Sequence, residues 1–123
     1  MRLGPMLFTA GGRIRRRDYW LYSVVNVGAW FLFSAVLYGT LAVLGLAKPA
    51  DSHGGGELSY IYLPVFVWAS LCLTIKRLHD RDISAVWSVL GLVPVIGWIW
   101  AVVMCGCLDG TPGDNRYGPS PKP

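Results

Sequence analysis

Charge is what this sequence has least of where it matters. Asp, Glu, Lys and Arg make up 15% of its 123 residues, against about 25% in an ordinary soluble domain. Three stretches contain none of them: residues 19–47, 58–75 and 83–108. A water-soluble fold needs charged residues scattered along the outer faces of its elements, so a globular soluble enzyme and a disordered tail are both excluded. Cysteine is scarce and odd in number: Cys72, Cys105 and Cys107. All three fall inside charge-free stretches, and Cys-Gly-Cys is neither a zinc pair nor a redox Cys-x-x-Cys. A disulfide-stapled secreted domain is therefore excluded. Histidine appears twice, as His53 and His79, in separate polar segments, so neither a metal site nor a cofactor is expected. Internal repeats and low-complexity tracts are absent too.

What is present is membrane-compatible length. A hydrocarbon core of about 30 Å takes about 20 apolar residues in a helix, and no porin-like alternation of polarity runs through the stretches. The chain reads as an all-α integral membrane protein with three transmembrane helices over residues 19–46, 58–75 and 84–108. A basic N-terminal segment, 1–18, and a tail, 109–123, complete a single membrane domain. The first stretch is about twice the length of a signal-peptide core, so cleavage is not expected there. Pro94, within Gly91-Leu92-Val93-Pro94-Val95-Ile96-Gly97, removes a backbone donor and predicts a kink in the last helix. Lys and Arg concentrate before the first span and between the second and third, which places the N-terminus inside. With three spans the tail then falls outside. Tyr19, Trp20 and Tyr22 suit the inner interface, and Tyr60 and Tyr62 the outer one.

Two clusters invite chemistry. Arg13-Ile14-Arg15-Arg16-Arg17 adjoins a membrane span, where positive charge sets topology and attracts anionic headgroups; nucleic acid is not an expected partner. In Lys76-Arg77-Leu78-His79-Asp80-Arg81-Asp82, a carboxylate could orient an imidazole for proton transfer. Adjacent helical residues diverge by about 100°, however, and a charge-neutralised inner loop is the simpler reading. No Asp, Glu, Lys or Arg lies inside a span to mark an ion relay. Ala35-x-x-x-Gly39 is a weak signal for close helix approach.

Three segments together resemble a known family. Gly12-Arg13-Ile14-Arg15-Arg16-Arg17-Asp18-Tyr19-Trp20, then Arg77-Leu78-His79-Asp80, then Asn115-Arg116-Tyr117-Gly118-Pro119-Ser120-Pro121 are similar to the motifs of the YhaH-like inner-membrane proteins of bacteria, the domain of unknown function 805. The likeness runs from about Phe8 to Lys122. By position it singles out Gly12, Arg13, Arg16, Tyr19, Trp20, Arg77, Leu78, His79, Asp80, Asn115, Tyr117, Gly118 and Pro121, with Ser84, Trp87, Pro94 and Gly97 as further motif positions. Two departures are mild: Ser84-Ala85-Val86-Trp87 keeps one Trp where the family commonly has two, and Lys76 stands for a more usual Arg. The resemblance implies a bacterial inner-membrane location and brings no activity. The expectation is a non-enzymatic protein acting through assembly and contact with anionic lipid, a second copy or a membrane-protein partner. Alternatives are a subunit of an oligomeric transport complex and a membrane enzyme using His79 and Asp80.

Overall fold

A computed structural model describes residues 7–46 and 60–121. The polar turn at 48–57, read as the outer loop between the first two spans, lies outside the described residues. Within them the fold is helical, with no strand beyond an isolated bridge between Asn115 and Gly118.

Helix α1, Arg16–Val43, begins three residues before the charge-free run, with Asp18 in its first turn, where a carboxylate complements the helix dipole. It stops because Gly45 adopts φ 68°, which lets Gly45 and Leu46 donate back to Ala42 and Leu41 at 3.1 and 2.8 Å. That pairing satisfies carbonyls the helix end would otherwise leave open. Helix α2, Leu63–Asp80, carries proline in its first turn and extends past the apolar run to include Lys76, Arg77, His79 and Asp80. The two helices meet along the α1 stripe Tyr19, Tyr22 and Asn26. Asn26 clamps them, its Nδ2 donating to the Phe66 carbonyl at 3.2 Å and to Ser70 Oγ at 3.0 Å. The rest of α1 presents apolar side chains outward, among them Val24, Phe31, Leu32 and Val36. Among the described residues α1 alone is both long and apolar enough to cross a membrane, and Ile96–Cys107 is a shorter apolar helix. At Gly39 no neighbour lies within 4 Å of the site a Cβ would occupy, so among the described residues no helix packs closely at the glycine of the Ala35–Gly39 pair.

The third charge-free run departs from expectation. Instead of one helix kinked near Pro94, it forms two arms that fold back on each other. A 3₁₀ helix, Ala85–Leu92, leads out, capped by the Ser84 side chain. The return arm is α3, Ile96–Ala101, which widens into a π-helix over Val102–Cys107. Between them Val95 sits at φ 64° and ψ −68°, with Ile96 N–H donating to the Pro94 carbonyl at 2.8 Å. This is a γ-turn of the strained hand, costing on the order of 1–3 kcal/mol at a β-branched residue. Pro94 therefore reverses the chain where a milder bend was expected. Both arms start and finish at the end of α2: Ile83 N–H donates to Leu78 O at 2.9 Å, and Thr111 N–H to Asp80 O at 2.8 Å. The tail consequently lies beside the N-terminal segment, whereas an arrangement of three full spans would hold the two apart.

Gly97 makes the reversal possible. A Cβ there would collide with the Leu90 carbonyl, so the arms touch backbone to backbone. Gly97→Ala is expected to force the arms apart at a cost of about 1–3 kcal/mol, read as a lower thermal midpoint of the detergent-solubilised protein. Gly91→Ala, where nothing lies within 4 Å, serves as the neutral comparison.

Candidate functional site

The buried apolar cluster of Ile14, Tyr19, Tyr22, Leu73, Leu78 and Cys105 gathers where α1 begins, α2 ends and the π-helix returns. Directly against it sits a polar centre built on Asp80. One carboxylate oxygen, Oδ1, accepts from Arg13 Nε at 3.1 Å and pairs with Arg13 Nη2 at 3.0 Å. The other, Oδ2, accepts from Arg77 one helical turn earlier. The Arg13, Arg77 and Asp80 side chains are only 1–3% exposed. Two guanidiniums against one carboxylate leave an excess positive charge, which would be costly to bury without further partners. Backbone carbonyls provide them. Arg13 also donates to Gly113 O at 2.8 Å, Gly118 O at 3.0 Å and Thr111 O at 3.0 Å. Arg77 also donates to Cys105 O at 2.8 Å, Ile14 O at 3.3 Å and Leu108 O.

The returning helix explains the spacing of the remaining cations. A helix C-terminus leaves its last carbonyls without intrahelical partners and carries partial negative charge. Four consecutive carbonyls of the π-helix are each met by a side chain. Arg81 reaches Met104 O at 3.3 Å and Arg77 reaches Cys105 O. Trp20 Nε1 reaches Gly106 O at 3.1 Å, and Arg16 reaches Cys107 O at 3.0 Å. Arg16 and Trp20 lie four apart on α1, and Arg77 and Arg81 four apart at the end of α2, so each pair shares a helix face. Gly106 is required by this contact, since a Cβ there would stand 2.6 Å from the Trp20 ring. Arg15 completes the set by donating from Nε to Pro121 O.

The tail closes over the centre as a four-residue turn. Asn115 and Gly118 exchange backbone hydrogen bonds at 3.2 and 3.0 Å, with Gly118 at φ 124°, a conformation that favours glycine. Asn115 Oδ1 accepts from Tyr117 N–H at 2.9 Å, while its Nδ2 donates to His79 O at 2.8 Å. The Tyr117 ring stacks on His79 with centroids 3.9 Å apart and planes 8° from parallel. Arg116 also lies over the tyrosine ring, 5.0 Å from its centroid, and pairs with Asp82 at 3.0 Å. His79 lies beyond the apolar part of α2. Burial pushes its imidazole below the usual range, a hydrogen bond to the Gly12 backbone opposes that, and Arg116 adds to it. Its Nδ1 has no hydrogen-bond partner, and the Asp80 carboxylate is taken by arginines. The adjacent pair is therefore not a hydrogen-bonded proton relay.

The motif residues thus converge. Arg13, Arg77 and Asp80 form the centre, while Arg16 and Trp20 cap the returning helix. Asn115, Tyr117 and Gly118 shape the covering turn, and Leu78 and Tyr19 belong to the core beneath it. Gly12 supplies positive φ, 89°, and the contact to His79, and Pro121 offers a carbonyl. The missing second tryptophan maps to Val86, which is 75% exposed on the outgoing arm, so the departure leaves the centre untouched. Sequence reasoning read Arg81 only as part of the charge-neutralised loop and did not single out Gly106, Gly110 or Thr111. Thr111 donates from both N–H and Oγ1 to Asp80 O, and a Cβ at Gly110 would fall on the Asp80 carboxylate. Both positions read only as turn composition, because the partner that makes them necessary is remote in sequence.

The chain is similar along most of its length to proteins of the bacterial inner membrane. Inner membrane protein YhaH of Escherichia coli (strain K12) is 41% identical over 114 residues, covering 90% of this chain and 85% of its own. Inner membrane protein YhaI of the same strain is 39% identical over 111 residues, at 90% and 84% coverage. Uncharacterized protein YiiR is 30% identical over 143 residues, at 96% and 89% coverage. No solved structure matches. Residues 7–119, from the first described helical turn to the proline after the tail turn, match the family described as Protein of unknown function (DUF805), and the chain belongs to that family.

Proposed function

We propose that the chain is a non-enzymatic, multi-pass inner-membrane protein whose cytoplasmic cap is a pre-assembled surface for anionic headgroups and for a membrane-protein partner. In this reading α1 and α2 cross the bilayer and residues 83–108 enter and leave by the same face. The lengths support it. The 28 residues of α1 span about 42 Å, and the uncharged part of α2 up to Ile75 about 20 Å, which the charge-free residues just ahead of α2 would extend. The outgoing 3₁₀ arm of 8 residues reaches only about 16 Å, roughly half a hydrocarbon core. The backbone of the reversal is also suited to lipid, where unpaired polar groups are costly. Pro94 has no N–H to satisfy, and Val93, Ile96, Gly97 and Ile99 all donate to carbonyls within the hairpin.

The observation that carries the non-enzymatic reading is the internal saturation of the polar centre. Asp80 is buried between two guanidiniums, and His79 is held under Tyr117 rather than against a carboxylate. The same saturation refines the lipid expectation. Of the arginines at 13, 15, 16 and 17, the first three serve intramolecular acceptors. Arg17 is exposed on the first turn of α1 and is the residue assigned to headgroups, worth about 1 kcal/mol near an anionic surface. Arg17→Gln is expected to lower phosphatidylglycerol enrichment around the reconstituted protein roughly fivefold with no change in thermal stability. Arg13→Gln should instead destabilise the fold. Unchanged enrichment in Arg17→Gln would refute the headgroup role.

A further inference from the structure

Away from the polar centre, a cavity of about 540 Å³ lies between α2 and the hairpin, with Tyr19 of α1 at one end. It is a groove open along one side, and its volume falls within the range of ligand pockets, from about 300 to 1,000 Å³. It is elongated. Its α2 wall runs from Leu63 to Thr74, about 16 Å of helix. No charged residue lines it; hydroxyls gather toward the Tyr19 end, and Leu63, Leu92 and Trp98 stand among its apolar lining.

Those hydroxyls differ in one respect. Thr74 Oγ1 donates to Ser70 O at 2.9 Å, and Ser70 Oγ donates to Phe66 O at 2.8 Å while accepting from Asn26. Tyr19 is hydrogen-bonded to Thr74 and Ser23. Ser88, on the outgoing arm, is 5% exposed, lines the cavity, and has no side-chain hydrogen-bond partner among the described residues. Its hydroxyl is therefore available to donate to an acceptor oxygen in the groove.

We infer that this cavity is a binding slot for one acyl chain of a cytoplasmic-leaflet phospholipid, with Ser88 Oγ donating to the ester carbonyl. The groove runs along α2 for about 16 Å, its walls are largely apolar, and Ser88 Oγ, a donor in its lining together with the Trp98 indole, sits on the arm that departs from the membrane face. The ester of an inner-leaflet lipid lies just below its headgroup, at the same end as Thr74, one turn from Arg77. The inference uses the membrane placement proposed above and is independent of the Arg17 headgroup contact.

Gly91 provides the test, because it lines the slot and a Cβ there meets nothing within 4 Å. The full chain would be reconstituted in phosphatidylethanolamine–phosphatidylglycerol vesicles containing a phospholipid with a mid-chain diazirine. Photo-adducts would be mapped, and the lipid retained in mild detergent weighed by native mass spectrometry. One retained phospholipid and adducts confined to 66–74 and 88–92 are expected. Gly91→Leu should abolish both, Ser88→Ala should reduce retention about fivefold, and Val86→Leu on the exposed side should change neither. Helical circular dichroism and the elution volume confirm that each variant is folded. A folded Gly91→Leu that retains lipid like the wild type would overturn the slot, as would adducts spread evenly over the outward residues of α1. Retention of a free fatty acid in place of phospholipid would overturn the ester assignment.

Discussion

Asp80→Ala is expected to release the tail and loosen the hairpin, at a cost on the order of 3–5 kcal/mol. That is the range for deleting one partner of a buried ion pair and leaving the other charged in the interior. Here two guanidiniums lose their carboxylate at once. The carbonyls of Gly113, Gly118 and Cys105 that help to hold them cannot supply the missing negative charge. The measurement is limited proteolysis of the tail together with the thermal midpoint in detergent. Asp80→Asn keeps the shape and removes the charge, so it should fall between wild type and alanine. A double-mutant cycle with Arg13→Gln is expected to be strongly non-additive, because the two side chains share one network. Additive losses would mean that Arg13 and Asp80 stabilise the fold separately.

Gly110→Val should be comparably damaging, on the order of 3 kcal/mol, through a different route. Its Cβ would occupy the place of the Asp80 carboxylate, an overpacking worth about 1–3 kcal/mol by itself. The displaced segment would also lose the two Thr111 hydrogen bonds to Asp80 O, at 2.8 and 3.0 Å, each contributing about 1 kcal/mol. Gly11→Ala, a nearby position with open space around it and an ordinary backbone conformation, should be neutral. Equal midpoints for Gly110→Val and Gly11→Ala would contradict the close approach of tail and α2.

Much of the helical content was legible in the distribution of charge, since two charge-free runs became most of α1 and α2. The third was not, for a physical reason. Nothing charged punctuates residues 83–108, and the reversal is made by a valine at positive φ, a residue that carries no turn signal. Pro94 alone reads equally as a kink or a break. In the site, the arginines at 13, 15 and 16 looked like a topology signal because their acceptors are 91–106 residues away, or 67 for Arg13 and Asp80. Such pairings leave no local pattern. The four-residue spacing of Arg16 with Trp20 and of Arg77 with Arg81 was visible, and it gained meaning only once a helix end returned between them.

The same closed centre links the two halves of the account. It anchors both ends of the hairpin beside the end of α2, and with the carbonyls around it engages Arg13, Arg15, Arg16, Arg77 and Arg81, cations that membrane topology would otherwise claim. Both consequences depend on the tail lying beside the N-terminal segment. The direct measurement is a pair of reporters in native membranes, one ahead of Met1 and one after Pro123, each scored for cytoplasmic or periplasmic exposure. The arrangement described here predicts both in the cytoplasm, with the C-terminal reporter shifting partly or losing protection in Asp80→Ala. A periplasmic C-terminal reporter beside a cytoplasmic N-terminal one would contradict it, because the Arg13–Asp80–tail contacts could not then form.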